Sequence, residues 1–166
     1  MLKQAACEVG SAQIQNAATV VGNICNASPA ADGVPCLMAL DAEVEIASTA
    51  GVRKIPLHDF ITGVRQTALL SGEMVTALVL PAQGLAGQSQ FLKLGARRYL
   101  VISIAMVAVR LNLSAGLVQG AAISVGACSA VAKRLTDLEA ALTGQPADAR
   151  LSNLVRDELV LPALSS

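Results

Sequence analysis

One stretch of the 166-residue sequence combines residue types that could hold a polar cofactor. It begins with Thr19-Val20-Val21-Gly22-Asn23 and continues to Asp32, which ends Ser28-Pro29-Ala30-Ala31-Asp32. Backbone N–H groups in a glycine-containing turn can approach a polar or anionic ligand closely, because glycine has no Cβ. A carboxylate such as that of Asp32 can accept hydrogen bonds from ribose hydroxyls. On the residues alone, an ordinary loop remains the simpler interpretation.

The other reactive residue types form no recognisable catalytic set. His58 is the only histidine, and no acid–base partner pattern surrounds it. The four cysteines, at positions 7, 25, 36 and 128, have no CxxC spacing, which favours buried free thiols over a metal site. No phosphate-loop, G-x-G-x-x-G or G-x-S-x-G motif is present. We therefore expect no catalytic residue and no metal ligand in this chain.

The composition narrows the classes of partner. Lys plus Arg and Asp plus Glu both number 12, so the net charge is zero, and aromatic residues are only 2%. A neutral chain with few stacking side chains is not typical of nucleic-acid-binding proteins. The longest apolar run, Tyr99–Val109, is about half of the roughly 20 residues that a transmembrane helix needs. With 54% hydrophobic residues, we expect a cytoplasmic subunit that buries surface against partner chains.

Periodicity and turn residues predict the elements that must position this stretch. A helix is predicted over 2–14, an irregular segment over 15–35, a short helix over 35–40 and a helical turn over 58–61. Strands are predicted at 43–48, 52–57, 73–80, 90–94 and 119–127, whereas 100–109 fits a buried strand or a buried helix. Thr136 to Glu139 has the pattern of a capping box for a helix that Gly144 ends, and 151–161 favours a last helix.

A Pro- and Gly-containing connection divides these elements into two groups. The stretch from Pro81 to Ser89 reads PAQGLAGQS, which is typical of a flexible linker. We predict an α+β fold, with a small mixed α/β lobe over 1–81. A second lobe over 88–166 is predicted to be an antiparallel sheet with helices packed on one face.

Several ordered segments resemble one known family. The resemblance begins in QIQNAATVVGNICNASPAADGVPCLMALDAEVEI, which is similar to the second part of the FAD-binding domain of molybdenum hydroxylases. That family includes xanthine dehydrogenase and the medium subunit of carbon monoxide dehydrogenase. The similarity continues through GVRKIPLHDFITGVRQTAL, GEMVTALVLP, QFLKLGARRYLVISIAMVAVRL and AAISVGACSAVAKRLTDLEAALTG, and spans about residues 9–145. The resemblance implies the middle and C-terminal lobes of a longer subunit, without the N-terminal lobe that holds the FAD pyrophosphate.

The resemblance also implies which residues lie close to FAD. They belong to the glycine-containing loop, the acid that contacts the flavin nucleotide, an apolar strand position near the isoalloxazine ring, and a lysine close to the cofactor. In chain order these positions are Thr19, Val21, Gly22, Asn23, Asp32, Val75 and Lys93.

Two of the family's positions carry different residues here. Val21 stands where the family has the first glycine of a Gly-Gly pair. A β-branched residue disfavours positive φ and adds bulk where the backbone would approach the flavin. Gln15 stands where the family has arginine, which removes a positive charge.

The resemblance implies an oxidoreductase subunit that is not active alone. FAD would bind this chain, whereas the molybdenum cofactor and the 2Fe-2S clusters would belong to a molybdopterin-binding large subunit and a 2Fe-2S small subunit. Electrons would pass from the iron–sulfur subunit to FAD and then to NAD or another acceptor. The alternative, favoured by the missing lobe and by Val21, is a structural or assembly module of such a complex that has lost FAD binding.

Overall fold

The computed structural model describes residues 1–97 and 101–164. It confirms the α+β class, because short helices pack against antiparallel sheets of three, two and four strands. Arg98, Tyr99 and Leu100 lie outside the described residues; Tyr99 and Leu100 belong to the apolar run at 99–109, and Leu100 begins the predicted element at 100–109. Among the helices of these two ranges, none is long and apolar enough to cross a membrane.

Short helices form the N-terminal part of the chain: α1 (Leu2–Glu8), α2 (Ala12–Ala17), α3 (Val20–Cys25) and α4 (Gly33–Ala39). The single helix predicted over 2–14 is divided, because Gly10 adopts a φ of 48° and Ser11 caps α2 by accepting a hydrogen bond from Ile14 N. The irregular segment predicted over 15–35 is wrong over α3 and the parts of α2 and α4 that it covers, since Thr19 begins α3 with the same kind of cap. Residues 26–32, between α3 and α4, are irregular as predicted.

The first sheet follows the apolar alternation that the sequence shows. In chain order the next elements are β1 (Glu43–Ser48), β2 (Gly51–Pro56), α5 (Leu57–Phe60), β3 (Ile61–Gly63), β4 (Gln66–Thr67) and β5 (Met74–Val79). The three-stranded sheet has the order β2-β1-β5 and is antiparallel. Val44 and Ile46 point into the core, whereas Glu43 and Glu45 are half-buried on the other face.

The second sheet forms the C-terminal part of the fold. A 3₁₀ helix (Ala82–Leu85) leads into β6 (Gln88–Gly95), β7 (Ser103–Ser114), β8 (Leu117–Gly126), β9 (Lys133–Arg134), α6 (Thr136–Leu142), a second 3₁₀ helix (Ala149–Leu154) and α7 (Asp157–Leu164). The strand order is β6-β7-β8-β9, with antiparallel neighbours. The element left open at 100–109 is therefore a strand from Ser103 onward.

The C-terminal helices differ from two expectations. The predicted capping box is wrong, because Leu135 precedes α6 and no side chain caps it. Glu139 instead accepts hydrogen bonds from Ile123 N at 2.7 Å and from the Arg134 guanidinium. The helix predicted over 151–161 is divided into the second 3₁₀ helix and α7.

Helix α4 lies between the two larger sheets and is buried over almost its whole length. Val34 and Leu37 pack in a core with the first sheet, whereas Cys36 and Ala39 pack in a core with β6, β7 and β8. Contact with β8 is close, since a Cβ added at Gly126 would lie 2.7 Å from the Pro35 ring. Burial raises the pKa of the Cys36 thiol to about 12, so this thiol stays protonated and acts as a small apolar side chain.

Two arginines of the second sheet donate hydrogen bonds to backbone carbonyls at the C-terminal end of α4. Arg110 Nε donates to Ala39 O at 2.9 Å, and Arg134 Nη1 donates to Met38 O at 2.9 Å. Asp41, just after the helix, accepts from both guanidinium groups, at 2.8 and 2.6 Å. Carbonyls at a helix end have no intrahelical partner, so these contacts replace water where α4 meets the second sheet.

A bidentate ion pair fastens the edge strand β2 to the turn before β5. Arg53 donates to the two carboxylate oxygens of Glu73 at 2.8 and 2.7 Å and to Ala68 O at 2.9 Å. Leu70 N donates to the same carboxylate at 2.8 Å. The hydrogen bonds from Arg53 and Leu70 lower the pKa of Glu73 from 4.5 to about 2.

We predict that Glu73→Gln changes the acid sensitivity of folding. A carboxyl whose pKa is lowered in the folded state stabilises the fold above its unfolded pKa, and this contribution is lost as the pH falls toward about 2. The difference in free energy of unfolding between the wild type and Glu73→Gln should therefore shrink between pH 6 and pH 3, as measured by urea denaturation. Glu45→Gln, on the neighbouring strand, controls for loss of a carboxylate. A constant difference for Glu73→Gln would contradict the prediction.

Candidate functional site

The Thr19–Asn23 stretch is a capped helix rather than a glycine turn. Thr19 Oγ1 accepts a hydrogen bond from Gly22 N at 2.9 Å and begins α3. Val21 lies inside that helix and is absent from the described residues with positive φ. The expectation that Val21 replaces a glycine at a positive-φ position is therefore wrong for this chain. Its side chain is half-buried, and Gly22 is exposed.

Asn23 joins α3 to the beginning of α4. Its Oδ1 accepts a hydrogen bond from Gly33 N at 3.2 Å. A Cβ added at Gly33 would lie 2.9 Å from that oxygen, which is closer than real Cβ contacts allow. The absence of a side chain at Gly33 thus permits the Asn23 amide to lie against the backbone beside Asp32.

Asp32 forms a buried cluster with two residues of the second sheet. Lys93 Nζ donates to Asp32 Oδ2 at 2.9 Å, and Ser103 Oγ donates to Asp32 Oδ1 at 2.7 Å. The Lys93 and Asp32 side chains are only 7% and 8% exposed. Lys93 also donates to Glu8 O, at the end of α1, at 3.1 Å. Because Asp32 precedes α4 and Lys93 lies on β6, the ion pair connects elements far apart in the sequence.

Two hollows border this cluster. One, of about 270 Å³, is lined by Thr19, Asn23 and Gly33 together with residues of α1 and α2. The other, of about 390 Å³, is lined by Lys93, Glu8 and the residues that follow Lys93 on β6. The segment 7–9 borders both, since Cys7 and Val9 line the first hollow and Glu8 lines the second. Gln15 Nε2 fixes this segment by donating to Cys7 O at 3.3 Å and Val9 O at 3.0 Å.

Four of the seven residues expected close to FAD therefore lie near one another in the structure, and others lie apart from them. Thr19 and Asn23 line the first hollow with Gly33, which follows Asp32, whereas Lys93 lines the second hollow and donates to Asp32. Val75 lies on β5, where it pairs with Ile46 and packs against the core of the first sheet. It lines neither hollow.

Ser103 is a site residue that sequence reasoning missed. It lies at the start of the apolar strand β7, and it is one of few buried polar residues. The signal available in the sequence was a single serine in an apolar run, because a buried hydroxyl needs a hydrogen-bond partner. The partner, Asp32, is too distant in sequence to be inferred from the run itself.

Other reactive groups lie outside this cluster. His58 is exposed, and its Nε2 is 3.6 Å from Asp59. Cys7 and Cys128 are exposed and Cys25 is half-buried, so the expectation of buried thiols holds fully only for Cys36. Within residues 1–97 and 101–164, no group of three or more His, Cys, Asp or Glu side chains could hold a metal ion.

Two protein-family models match this chain, one in its N-terminal part and one in its C-terminal part. A model of the FAD binding domain in molybdopterin dehydrogenase matches residues 1–83. A model of the CO dehydrogenase flavoprotein C-terminal domain matches residues 90–160.

Individual proteins show the same similarity. The nicotinate dehydrogenase FAD-subunit of Eubacterium barkeri is 39% identical over 106 residues, which cover 62% of this chain and 36% of that protein. The structure of quinoline 2-oxidoreductase from Pseudomonas putida 86 matches with a TM-score of 0.84 and 25% identity, over 94% of this chain and 54% of that chain. Carbon monoxide dehydrogenase from Hydrogenophaga pseudoflava matches with a TM-score of 0.83 and 25% identity, over 91% and 52%. The chain spans about half or less of these proteins' chains.

We predict that the Asp32–Lys93 pair is strongly coupled in stability. Asp32→Ala leaves the buried Lys93 ammonium without its carboxylate, which should cost about 3–5 kcal/mol in free energy of unfolding. Asp32→Ala combined with Lys93→Met should cost much less than the sum of the two single changes, as measured by urea denaturation. Lys54→Met, in the more exposed pair with Glu45, should cost less than about 1 kcal/mol. Additive costs for Asp32 and Lys93 would contradict the prediction.

We also predict that Val21→Gly destabilises the chain. Glycine orders at greater entropic cost within a helix, and the half-buried valine side chain is lost, so about 1 kcal/mol of stability should disappear. Thermal denaturation should therefore show a lower Tm. An unchanged or higher Tm would mean that Val21 is strained in this position.

Proposed function

The chain belongs to the family of FAD binding domains in molybdopterin dehydrogenase, and we propose that it is the flavin-binding module of a molybdenum-containing oxidoreductase. In this proposal a molybdopterin-binding large subunit oxidises the substrate, and a 2Fe-2S small subunit carries the electrons to the flavin held here. NAD or another acceptor then receives them. Bound FAD would supply the exchange between one-electron and two-electron carriers, and the chain would be inactive without its partners.

The observation that carries this proposal is the placement of Thr19 and Asn23 in one hollow with Gly33, directly after Asp32, which pairs with Lys93 of the neighbouring hollow. Asn23 uses its Oδ1 within the chain, and the contacts among the described residues leave its Nδ2 group able to donate to a ligand. Gly33 lines the same hollow, and its lack of a side chain lets the Asn23 amide lie against the backbone there. These features are typical of a site that recognises a polar, multiply hydrogen-bonding cofactor.

The size of the hollow limits how much of FAD these residues bind. A volume of about 270 Å³ is just below the roughly 300–1,000 Å³ that is typical of sites for drug-sized ligands. The Thr19–Asn23–Gly33 surface would therefore hold one part of the dinucleotide. We propose that this surface belongs to a lobe over 1–81 and that Lys93, from a second lobe over 88–166, lies beside it through its contact with Asp32.

Apolar surface on the second sheet supports assembly with partner chains. Leu92 and Leu94 on the edge strand β6 are 67% and 59% exposed, and Ile104 on the neighbouring strand is 55% exposed. An apolar group of this kind is typical of protein–protein interfaces.

One observation favours the alternative, a structural or assembly module that does not bind FAD. Thr19, Asn23 and Asp32 all make hydrogen bonds within the chain, to Gly22, Gly33, Lys93 and Ser103. A set of polar groups that satisfy one another can serve folding alone.

FAD titration of the purified 166-residue chain, followed by flavin fluorescence, separates the two functions. We expect saturable binding with a Kd above about 1 µM, because only part of the cofactor is contacted. Asn23→Ala should raise the Kd roughly three- to tenfold through loss of a hydrogen-bonding group. Asn112→Ala, which changes the same residue type on β7 outside the hollow, should leave the Kd unchanged. Absence of binding by the wild type would favour the structural module.

A further inference from the structure

We propose that Ser103 is a positioning residue for the flavin site, which fixes the carboxylate of Asp32 and, through it, the ammonium of Lys93. This inference rests on the proposed function, because it concerns the same site. Ser103 is 7% exposed, so its hydroxyl has little access to water and its contact with Asp32 replaces solvation.

The contacts divide the Asp32 carboxylate between two donors. Ser103 Oγ donates to Oδ1 at 2.7 Å and Lys93 Nζ donates to Oδ2 at 2.9 Å. The terminal torsion of an aspartate side chain has broad, roughly two-fold preferences, so hydrogen-bond partners must fix its plane. With one donor on each oxygen the plane is fixed, and the remaining lone pairs have defined directions.

A bulge in the second sheet turns Ser103 toward Asp32. Along β7, Met106 and Ala108 are buried, and regular alternation would bury Ile104. The pairing instead shifts between Leu94 and Gly95, so that Leu94 pairs with Ala105 and Gly95 pairs with Ser103. Ser103 is consequently buried and Ile104 is exposed. Bulges often redirect a side chain beside a functional site, and this one exchanges an apolar residue for a hydroxyl at Asp32.

Gly95 permits this local geometry. A Cβ added at Gly95 would lie 2.4 Å from Val101 Cγ1 and 3.2 Å from Arg97 O. A larger residue at Gly95 would clash with Arg97 and Val101, which lie between β6 and β7 just before Ser103. The bulge and Gly95 therefore act together to place the Ser103 hydroxyl against Asp32 of the Asp32–Lys93 pair.

Ser124 offers a matched control for this role. It is also a buried serine of the second sheet, on β8, and is 0% exposed. Its Oγ lies 3.9 Å from Met38 Sδ, which is a weak acceptor, and it does not contact Asp32. Ser124→Ala thus removes a buried hydroxyl from the same sheet without touching the proposed site.

The test uses FAD titration and thermal denaturation of the full chain, with all titrations below the lowest Tm. Ser103→Ala should raise the Kd for FAD about tenfold, because the carboxylate loses a charge-assisted hydrogen bond. Ser103→Cys, which keeps side-chain volume but donates weakly, should also raise it. Ser103→Thr, which keeps the hydroxyl, should stay within about twofold of the wild type. Ser124→Ala should leave the Kd unchanged, whatever its effect on Tm.

Four outcomes would overturn the inference, and the measurements tell them apart. If the wild type binds FAD and Ser103→Ala binds it equally well, the inference is wrong and the proposed function stands. If Ser103→Ala and Ser124→Ala raise the Kd equally, Ser103 acts only through stability, which also overturns the inference. If Ser103→Ala does not fold, equal Kd values for Ser103→Cys and Ser103→Thr overturn it. If the wild type binds no FAD, the proposed function fails and the inference fails with it.

Discussion

A buried helix must have its end groups satisfied by protein rather than by water, and α4 imposes this requirement on the rest of the fold. The helix supplies side chains to the cores of both larger sheets, so it cannot turn either end to solvent. At its C-terminal end, Arg110 and Arg134 reach from the second sheet to the free carbonyls. Asp41 then neutralises both arginines.

The other end of α4 is attached to the second sheet through the side chain that precedes the helix, not through the helix's own N–H groups. Asp32 precedes the helix, and its carboxylate is held by Lys93 and Ser103 of the second sheet. Both ends of one short helix are thus attached to the same four-stranded sheet. Any movement between the first part of the chain and the second sheet would break buried polar contacts at both ends, which couples the geometry of the candidate site to the packing of the whole domain.

Local patterns predicted the strands better than the helices. The alternation of Val44 and Ile46 with glutamates identifies β1 because burial on one face imposes a two-residue period. The helix α3 was missed and α2 was not separated from α1, because each is only six residues long and depends on one capping side chain, Ser11 or Thr19. Asp32 and Lys93 were each named from the family resemblance, but their contact with each other was not predicted. Ser103 was missed because a bulge reverses the strand alternation and cannot be read from periodicity.

The exposed leucines of β6 have a consequence for the chain in isolation. The sequence carries no net charge at pH 7, so electrostatic repulsion between copies is weak at neutral pH. An edge strand that displays Leu92 and Leu94 is a template for contact with another strand. Colloidal stability in solution therefore depends on this edge, and a charged side chain in place of Leu92 would act as a gatekeeper against aggregation.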